Sequence, residues 1–125
     1  MATVLVIEDE APIRANLERF LKAEGYAVLA ASDGAGGIAA AREQRPDIII
    51  CDILMPRVDG FSVLAELRAD TGTARIPLIF LTASADKEDR QRGLASGATD
   101  YVTKPFKLAE LLGVIRKHLG DAAVK

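Results

Sequence analysis

One cysteine, one histidine and no strong excess of either charge set the first limits on this 125-residue chain. The single thiol, Cys51, excludes an internal disulfide and fits a reducing compartment, where it reads as a small buried hydrophobe. His118 stands among basic residues near the chain end and reads as a solvated helix end. Without a His/Cys cluster a zinc site is not expected. A net charge of −2 marks neither a general nucleic-acid binder nor a membrane-surface binder. No apolar run is long enough to span a bilayer, and residues 1–7 are too short and lack the basic start of a signal peptide. A cytoplasmic location is expected. Neither a P-loop nor a GxGxxG signature is present, so a phosphate need not come from a bound nucleotide. Linkers, repeats and low-complexity tracts are also missing, which points to one domain.

What is present is a repeated alternation. Half of the residues are apolar, enough for a core. Residues 4–7 form a first apolar run that stops at Glu8-Asp9-Glu10. Pro12 suits the first turn of a helix, Ile13, Leu17, Phe20 and Leu21 recur at helical spacing, and Gly25 supplies the stop. Residues 26–31 read as a less apolar strand, nearer an edge. A second helix over 35–44 contains Gly36 and Gly37, each costing about 1 kcal/mol against alanine, so it is expected to be soft or to start late. Residues 48–51 are apolar without alternation, as in a central parallel strand buried on both faces. Asp52 follows, and Pro56 and Gly60 mark a loop into a helix with Phe61, Leu64 and Leu67 on one face.

After a break at Thr71-Gly72-Thr73, residues 77–81 form a fourth strand that stops at Thr82. A charged helical segment over 86–96 carries little apolar surface beyond Leu94, and Gly97 ends it. Residues 100–103 form a short fifth strand that stops at Lys104-Pro105. The last helix shows a stripe of Leu108, Leu111, Leu112, Ile115 and Leu119, closed by Gly120 and followed by a polar tail. Strands alternating with helices in this way predict an α/β fold, a parallel sheet with helices on both faces and right-handed crossovers.

Four strand ends carry polar residues that a strand does not need: Glu8 and Asp9, Asp52, Thr82, and Lys104. In a parallel sheet these ends lie on one edge, where open α/β sheets build their sites. Each residue also has a plainer reading: Asp52 and Thr82 as caps, Glu8 and Asp9 as negative charge welcome at a helix start, and Lys104 as a solvated surface lysine. Three carboxylates a few ångströms apart repel, each close pair costing on the order of 3–4 kcal/mol at an effective dielectric near 20. Such a cluster needs a cation, and an all-oxygen donor set suits Mg²⁺. A lysine and a threonine hydroxyl facing that cation suggest a bound anion, with phosphate the natural candidate. A carboxylate beside Mg²⁺ can itself take a phosphoryl group as an acyl phosphate.

The combination of Ile7-Glu8-Asp9-Glu10, Asp52-Ile-Leu-Met-Pro-Arg-Val-Asp59-Gly60, Leu81-Thr82-Ala83 and Gly97-Ala-Thr-Asp-Tyr101-Val-Thr-Lys104-Pro105-Phe106 resembles the receiver domain of bacterial two-component response regulators. The similarity spans residues 4–119. It implies a (βα)5 doubly wound, flavodoxin-like sheet of order 2-1-3-4-5, with residues 1–120 as the domain and 121–125 as a tail or the start of a linker. It implies that Asp52 is the phosphoacceptor. Glu8, Asp9, Asp52 and the backbone carbonyl of Leu54 would hold Mg²⁺, Thr82 would bond the phosphoryl group, and Lys104 would pair with its charge. Tyr101 would be the switch aromatic, and the Lys104-Pro105 bond would be cis. The phosphodonor would be a sensor histidine kinase or a histidine phosphotransfer protein. The weakly held fourth helix, strand five and helix five would form the switching surface and a possible homodimer contact. Thr99 stands where the dimerising branch more often has an acidic residue, which weakens the dimer expectation. Direct nucleic-acid binding and membrane binding by this domain are not expected, nor is enzyme turnover beyond self-phosphotransfer and self-dephosphorylation. Leu54 and Ser84 flank the phosphate, and the apolar Leu54 predicts a phosphoryl lifetime that is not unusually short. The competing class is a pseudo-receiver, an interaction module without phosphotransfer; the intact Asp9, Asp52, Thr82 and Lys104 set argues against it.

Overall fold

The computed structural model describes residues 1–83, 91, 92, 94, 95 and 97–124, the last five by their backbone alone. Its strands are β1 (Thr3–Ile7), β2 (Ala27–Ala31), β3 (Ile48–Asp52), β4 (Leu78–Thr82) and β5 (Asp100–Thr103). All pair in parallel in the order β2-β1-β3-β4-β5. Helices α1 (Ala11–Ala23), α2 (Gly34–Gln44) and α3 (Gly60–Ala69) and a C-terminal helix (Leu108–Val124) surround the sheet. Strand alternation splits the core into two layers. Val4, Val6, Ile48, Ile50, Ile79, Leu81 and Val102 face Leu17 and Leu21 of α1 and Leu111, Leu112 and Ile115 of the C-terminal helix. Leu5, Ile7, Ile49, Cys51, Leu78 and Phe80 face Ala41 of α2 and Val63, Leu64 and Leu67 of α3. The unbroken apolar character of residues 48–51 follows, since β3 has a helical layer on each side and is buried throughout. β2, at the edge, is only half-buried, as its composition predicts.

Local chemistry explains most boundaries. Gly25 follows α1 at φ +95, the left-handed conformation that ends many helices, and the amides of Gly25 and Tyr26 bond the carbonyls of Lys22 and Leu21. Asp59 caps α3 by accepting from the Ser62 amide at 2.9 Å.

Four expectations are corrected. First, α2 does not start late: it begins at Gly34, because Asp33 caps it by accepting from the Gly36 amide at 2.7 Å. Gly37 is there for space, since a Cβ would run into the Ile7 side chain; the residue that weakens the isolated helix lets it lie close on β1. Second, α3 buries Val63 as well as the expected Leu64 and Leu67, and Phe61 packs half-buried against the same layer. Third, Gly120 does not close the last helix, which runs on to Val124. Fourth, His118 is not a solvated end. Its Nε2 lies 2.9 Å from Asp100 Oδ2, with side chains 18% and 23% exposed, joining the C-terminal helix to β5. Of the charged helix expected over 86–96, residues 91, 92, 94 and 95 are helical; the remainder, and Ser84, lie outside the described residues. The Arg92 guanidinium stacks 4.2 Å from the centre of the Phe61 ring. No helix among the described residues is long and apolar enough to cross a membrane.

The Asp100–His118 contact has a measurable consequence. Burial raises the Asp100 carboxyl, but the bond to His118, the Tyr101 amide and the charges of His118 and Lys117 outweigh it and hold it below the ordinary carboxylate range. A depressed carboxylate stabilises the fold above its unfolded pKa and loses that contribution as pH falls through the folded value. His118→Ala is therefore expected to raise the Asp100 pKa and bring acid destabilisation in at a higher pH. Carboxyl-detected NMR titration checks this; an unchanged Asp100 midpoint would rule it out.

Candidate functional site

The carboxyl ends of β1, β3, β4 and β5 lie side by side because the sheet is parallel and its register is even. Ile7 pairs with Cys51, Asp52 with Leu81 and Thr82 with Thr103. Glu8 follows β1 directly, Asp52 ends β3, Thr82 ends β4 and Lys104 follows β5. Glu8, Asp52 and Thr82 are buried, and Asp9 is half-buried. Carboxylate oxygens of Glu8, Asp9 and Asp52 lie within 4.8 Å of one another. Lys104 Nζ reaches into this group, 2.8 Å from Glu8 Oε1 and 3.4 Å from Asp52 Oδ2. The Lys104 amide bonds the Thr82 carbonyl at 2.6 Å, and the Lys104-Pro105 peptide is cis.

The loop after β3 is tightly held. The Ile53 amide bonds the Leu81 carbonyl at 3.1 Å, and the Gly60 amide bonds the Ile53 carbonyl at 2.8 Å. Between these anchors Arg57 takes a left-handed φ of +69, and Leu54 is 72% exposed. Tyr101 packs half-buried against the α2/α3 layer.

The charges are unbalanced. Burial, the hydrogen bond with Glu8 and the charge of Glu8 push the Asp52 carboxyl up to about 7, against the opposing pull of Lys104. Burial would raise Glu8 as well, but Lys104, Asp52 and the Glu10 amide outweigh it and hold Glu8 below its ordinary value. Burial would lower Lys104, but Glu8 and Asp52 together raise it. One ammonium thus serves two carboxylates, and Asp9 is left over. Asp9 Oδ1 is buried with no hydrogen-bond partner among the described residues. An all-oxygen, acid-rich donor set with an orphaned carboxylate oxygen is what a hard divalent cation such as Mg²⁺ fits; Glu8, Asp9 and Asp52 are the side chains placed to hold it.

The sequence-predicted residues Glu8, Asp9, Asp52 and Lys104 are thus brought together, with Thr82 on the neighbouring strand end. Two features were not foreseen. Glu8 spends its carboxylate on Lys104 in this state. Arg14 Nη1 donates to the Glu8 backbone carbonyl at 2.8 Å; its position next to Ile13 on the inward side of α1 was the available signal.

Taken together, the fold and cleft define a doubly wound α/β domain with three clustered carboxylates and a lysine at the carboxyl edge of its sheet. The family profile of the response regulator receiver domain matches residues 4–116, and the chain belongs to that family of two-component signalling modules. The probable transcriptional regulator ycf27 of Guillardia theta is 46% identical over 113 residues, covering 90% of this chain and 43% of that protein. The probable transcriptional regulatory protein TcrX of Mycobacterium tuberculosis is 42% identical over 122 residues, covering 98% of this chain and 51% of that protein. The chain therefore spans about half the length of the curated relatives it matches. Among solved structures, the chemotaxis protein CheY4 of Vibrio cholerae is similar with a TM-score of 0.89 at 35% identity, covering 94% of this chain and 98% of that one. The receiver domain of the sensor histidine kinase PA1611 of Pseudomonas aeruginosa, solved with a magnesium ion coordinated in its active-site cleft, gives 0.88 at 37% identity, covering 96% and 98%.

Proposed function

We propose that this receiver domain accepts a phosphoryl group on Asp52 from a phosphohistidine of a sensor histidine kinase or histidine phosphotransfer protein. The observation that carries this reading is the convergence of Asp52, Lys104, Glu8 and Asp9 in one cleft. A carboxylate oxygen of Asp52 attacks phosphorus, the P–N bond breaks, and the leaving imidazole nitrogen keeps the electron pair. Mg²⁺, when bound through Glu8, Asp9, Asp52 and the Leu54 carbonyl, offsets the negative charge brought together there. Lys104 serves the added phosphoryl oxygens from its place between Glu8 and Asp52. The Thr82 hydroxyl, at the neighbouring strand end, donates to one of them. Attack by water later returns Asp52 and inorganic phosphate, so the domain modifies itself and turns over no external substrate.

In this reading the pull on Thr82 draws Tyr101 inward and shifts the surface of helix four, strand five and the C-terminal helix. That surface serves an output partner or a second copy. An apolar groove of about 730 Å³ beside Lys104, lined by Ile13, Leu17, Phe20, Pro105 and Phe106 among others, supports docking of the phosphodonor next to Asp52. Two-component partners of this kind place the domain in the cytoplasm.

Beryllofluoride with Mg²⁺, a mimic of the acyl phosphate, tests the proposal. Wild type is expected to show amide shifts at residues 52–54, 82 and 101–104, and Asp52→Asn to show none. No response in wild type, or the same response in the variant, rejects the reading in favour of a pure interaction module.

A further inference from the structure

We propose that Arg14 is a positioning residue for the cation site, acting through the Glu8–Asp9 peptide; this rests on the metal-assisted reading above. Asp9 is the carboxylate with a buried, unpartnered oxygen, so hydrogen bonds to that oxygen do not aim its side chain. Its direction is set by the backbone of the β1–α1 turn. That turn leaves the sheet after one bond, from the Glu8 amide to the Ala31 carbonyl at 3.1 Å. The Glu8 carbonyl then points past the end of the ladder. Among the described residues no backbone amide donates to it. Four residues on, where a helical turn would offer an N–H, stands Pro12, which has none.

Arg14 takes that place. Its Nη1 donates to the Glu8 carbonyl at 2.8 Å, the single hydrogen bond its side chain makes among the described residues. Its own amide donates to the Glu10 carbonyl at 3.0 Å, the first bond of α1. One residue therefore fastens the start of α1 and the Glu8–Asp9 peptide into a unit. Among the described residues the guanidinium has no carboxylate partner, so its hydrogen bonding goes to the peptide it holds. Here that peptide carries two of the three cluster carboxylates. Groups that hydrogen-bond around a metal's ligands commonly change affinity 10–100-fold when removed.

Mg²⁺ titration calorimetry on wild type, Arg14→Met, Arg14→Lys and Asp9→Asn tests the assignment, with far-ultraviolet circular dichroism to verify the fold. Arg14→Met is expected to bind Mg²⁺ about tenfold more weakly. Arg14→Lys, which keeps a charged donor of similar reach, is expected to recover most of that loss, which a general packing role would not predict. Asp9→Asn should abolish binding. If Arg14→Met binds as tightly as wild type, or Arg14→Lys is as weak as Arg14→Met, the positioning role is overturned while the cation site stands. If wild type takes up no Mg²⁺, the cation reading itself fails and this role goes with it.

Discussion

Asp52→Asn is expected to have two opposite effects: it abolishes phosphoryl uptake and, without Mg²⁺, makes the folded protein more stable at pH 8. The first follows, on the proposed function, from loss of the carboxylate that would attack phosphorus. The second follows from the raised Asp52 carboxyl, which burial and Glu8 hold at about 7 in the folded chain against roughly 3.9 when unfolded. The folded state then binds a proton that the unfolded chain has released. The resulting stabilisation is full below about pH 4 and is lost as pH rises through the folded value near 7. At pH 8 a charged Asp52 faces a charged Glu8 with one lysine between them. Asparagine keeps the shape and drops the charge. At about 1.4 kcal/mol per unit of separation, the gain is on the order of 2–4 kcal/mol at pH 8 and close to nothing at pH 4. Urea unfolding in EDTA at the two pH values reads this as a difference between proteins, so the contributions of Glu8 and Lys104 largely cancel. Equal gaps at both pH values, or no gap at pH 8, contradict the site electrostatics. Saturating Mg²⁺ should narrow the gap, because a bound cation stabilises wild type and has fewer carboxylates to hold in the variant.

Gly60→Ala is expected to destabilise the domain by about 2–3 kcal/mol, although alanine is the better helix former. Gly60 opens α3 under the loop that carries the Leu54 carbonyl. A Cβ there would sit 2.6 Å from the Asp52 carbonyl oxygen, 2.7 Å from Ile53 Cα and 3.1 Å from Phe80 Cε1. Two of these atoms are backbone, and the Ile53 carbonyl is already bound to the Gly60 amide at 2.8 Å, so the loop has little room to yield. The strain falls on the Asp52–Ile53 segment, and Mg²⁺ affinity is expected to drop with stability. Gly113 is the control. It lies on the exposed face of the C-terminal helix, where a Cβ would have no atom of the described residues within 4 Å, so Gly113→Ala should gain up to about 1 kcal/mol. Denaturation midpoints moving the same way for both substitutions would contradict the close approach at Gly60.

Much of this was legible in the residues. The unbroken apolar stretch of β3 announced a central strand because a strand with helices on both sides cannot alternate. Polar residues at four strand ends announced the cleft because parallel strands must end together. What the sequence did not reveal were contacts set by close packing and by partners far along the chain. Gly37 read as a weakness because propensity is a local quantity, whereas its use is the approach of α2 to Ile7. His118 read as solvated because Asp100, its partner, is 18 positions away. Gly120 read as a stop because glycine often ends helices, yet the helix continues to Val124. Arg14 went unnoticed because a carbonyl acceptor has no signature in a side-chain pattern. Within the cleft, residue types gave the membership, but the ion pair of Glu8 with Lys104 joins residues 96 positions apart and leaves no local trace.

The buried thiol beside Asp52 offers a clock. Cys51 is fully enclosed in β3, its Sγ donating to the Asp52 carbonyl at 3.3 Å. Burial, followed by the charges of Asp52, Glu8 and Asp59, pushes the thiol well above its ordinary range. A thiol reagent can reach it only when the central strand parts from its neighbours, so the labelling rate counts how often the sheet opens. Since Asp52 is the next residue, every ligand or modification that steadies the cleft should slow that clock. One native cysteine thereby lets the coupling between site and scaffold be timed without adding a probe.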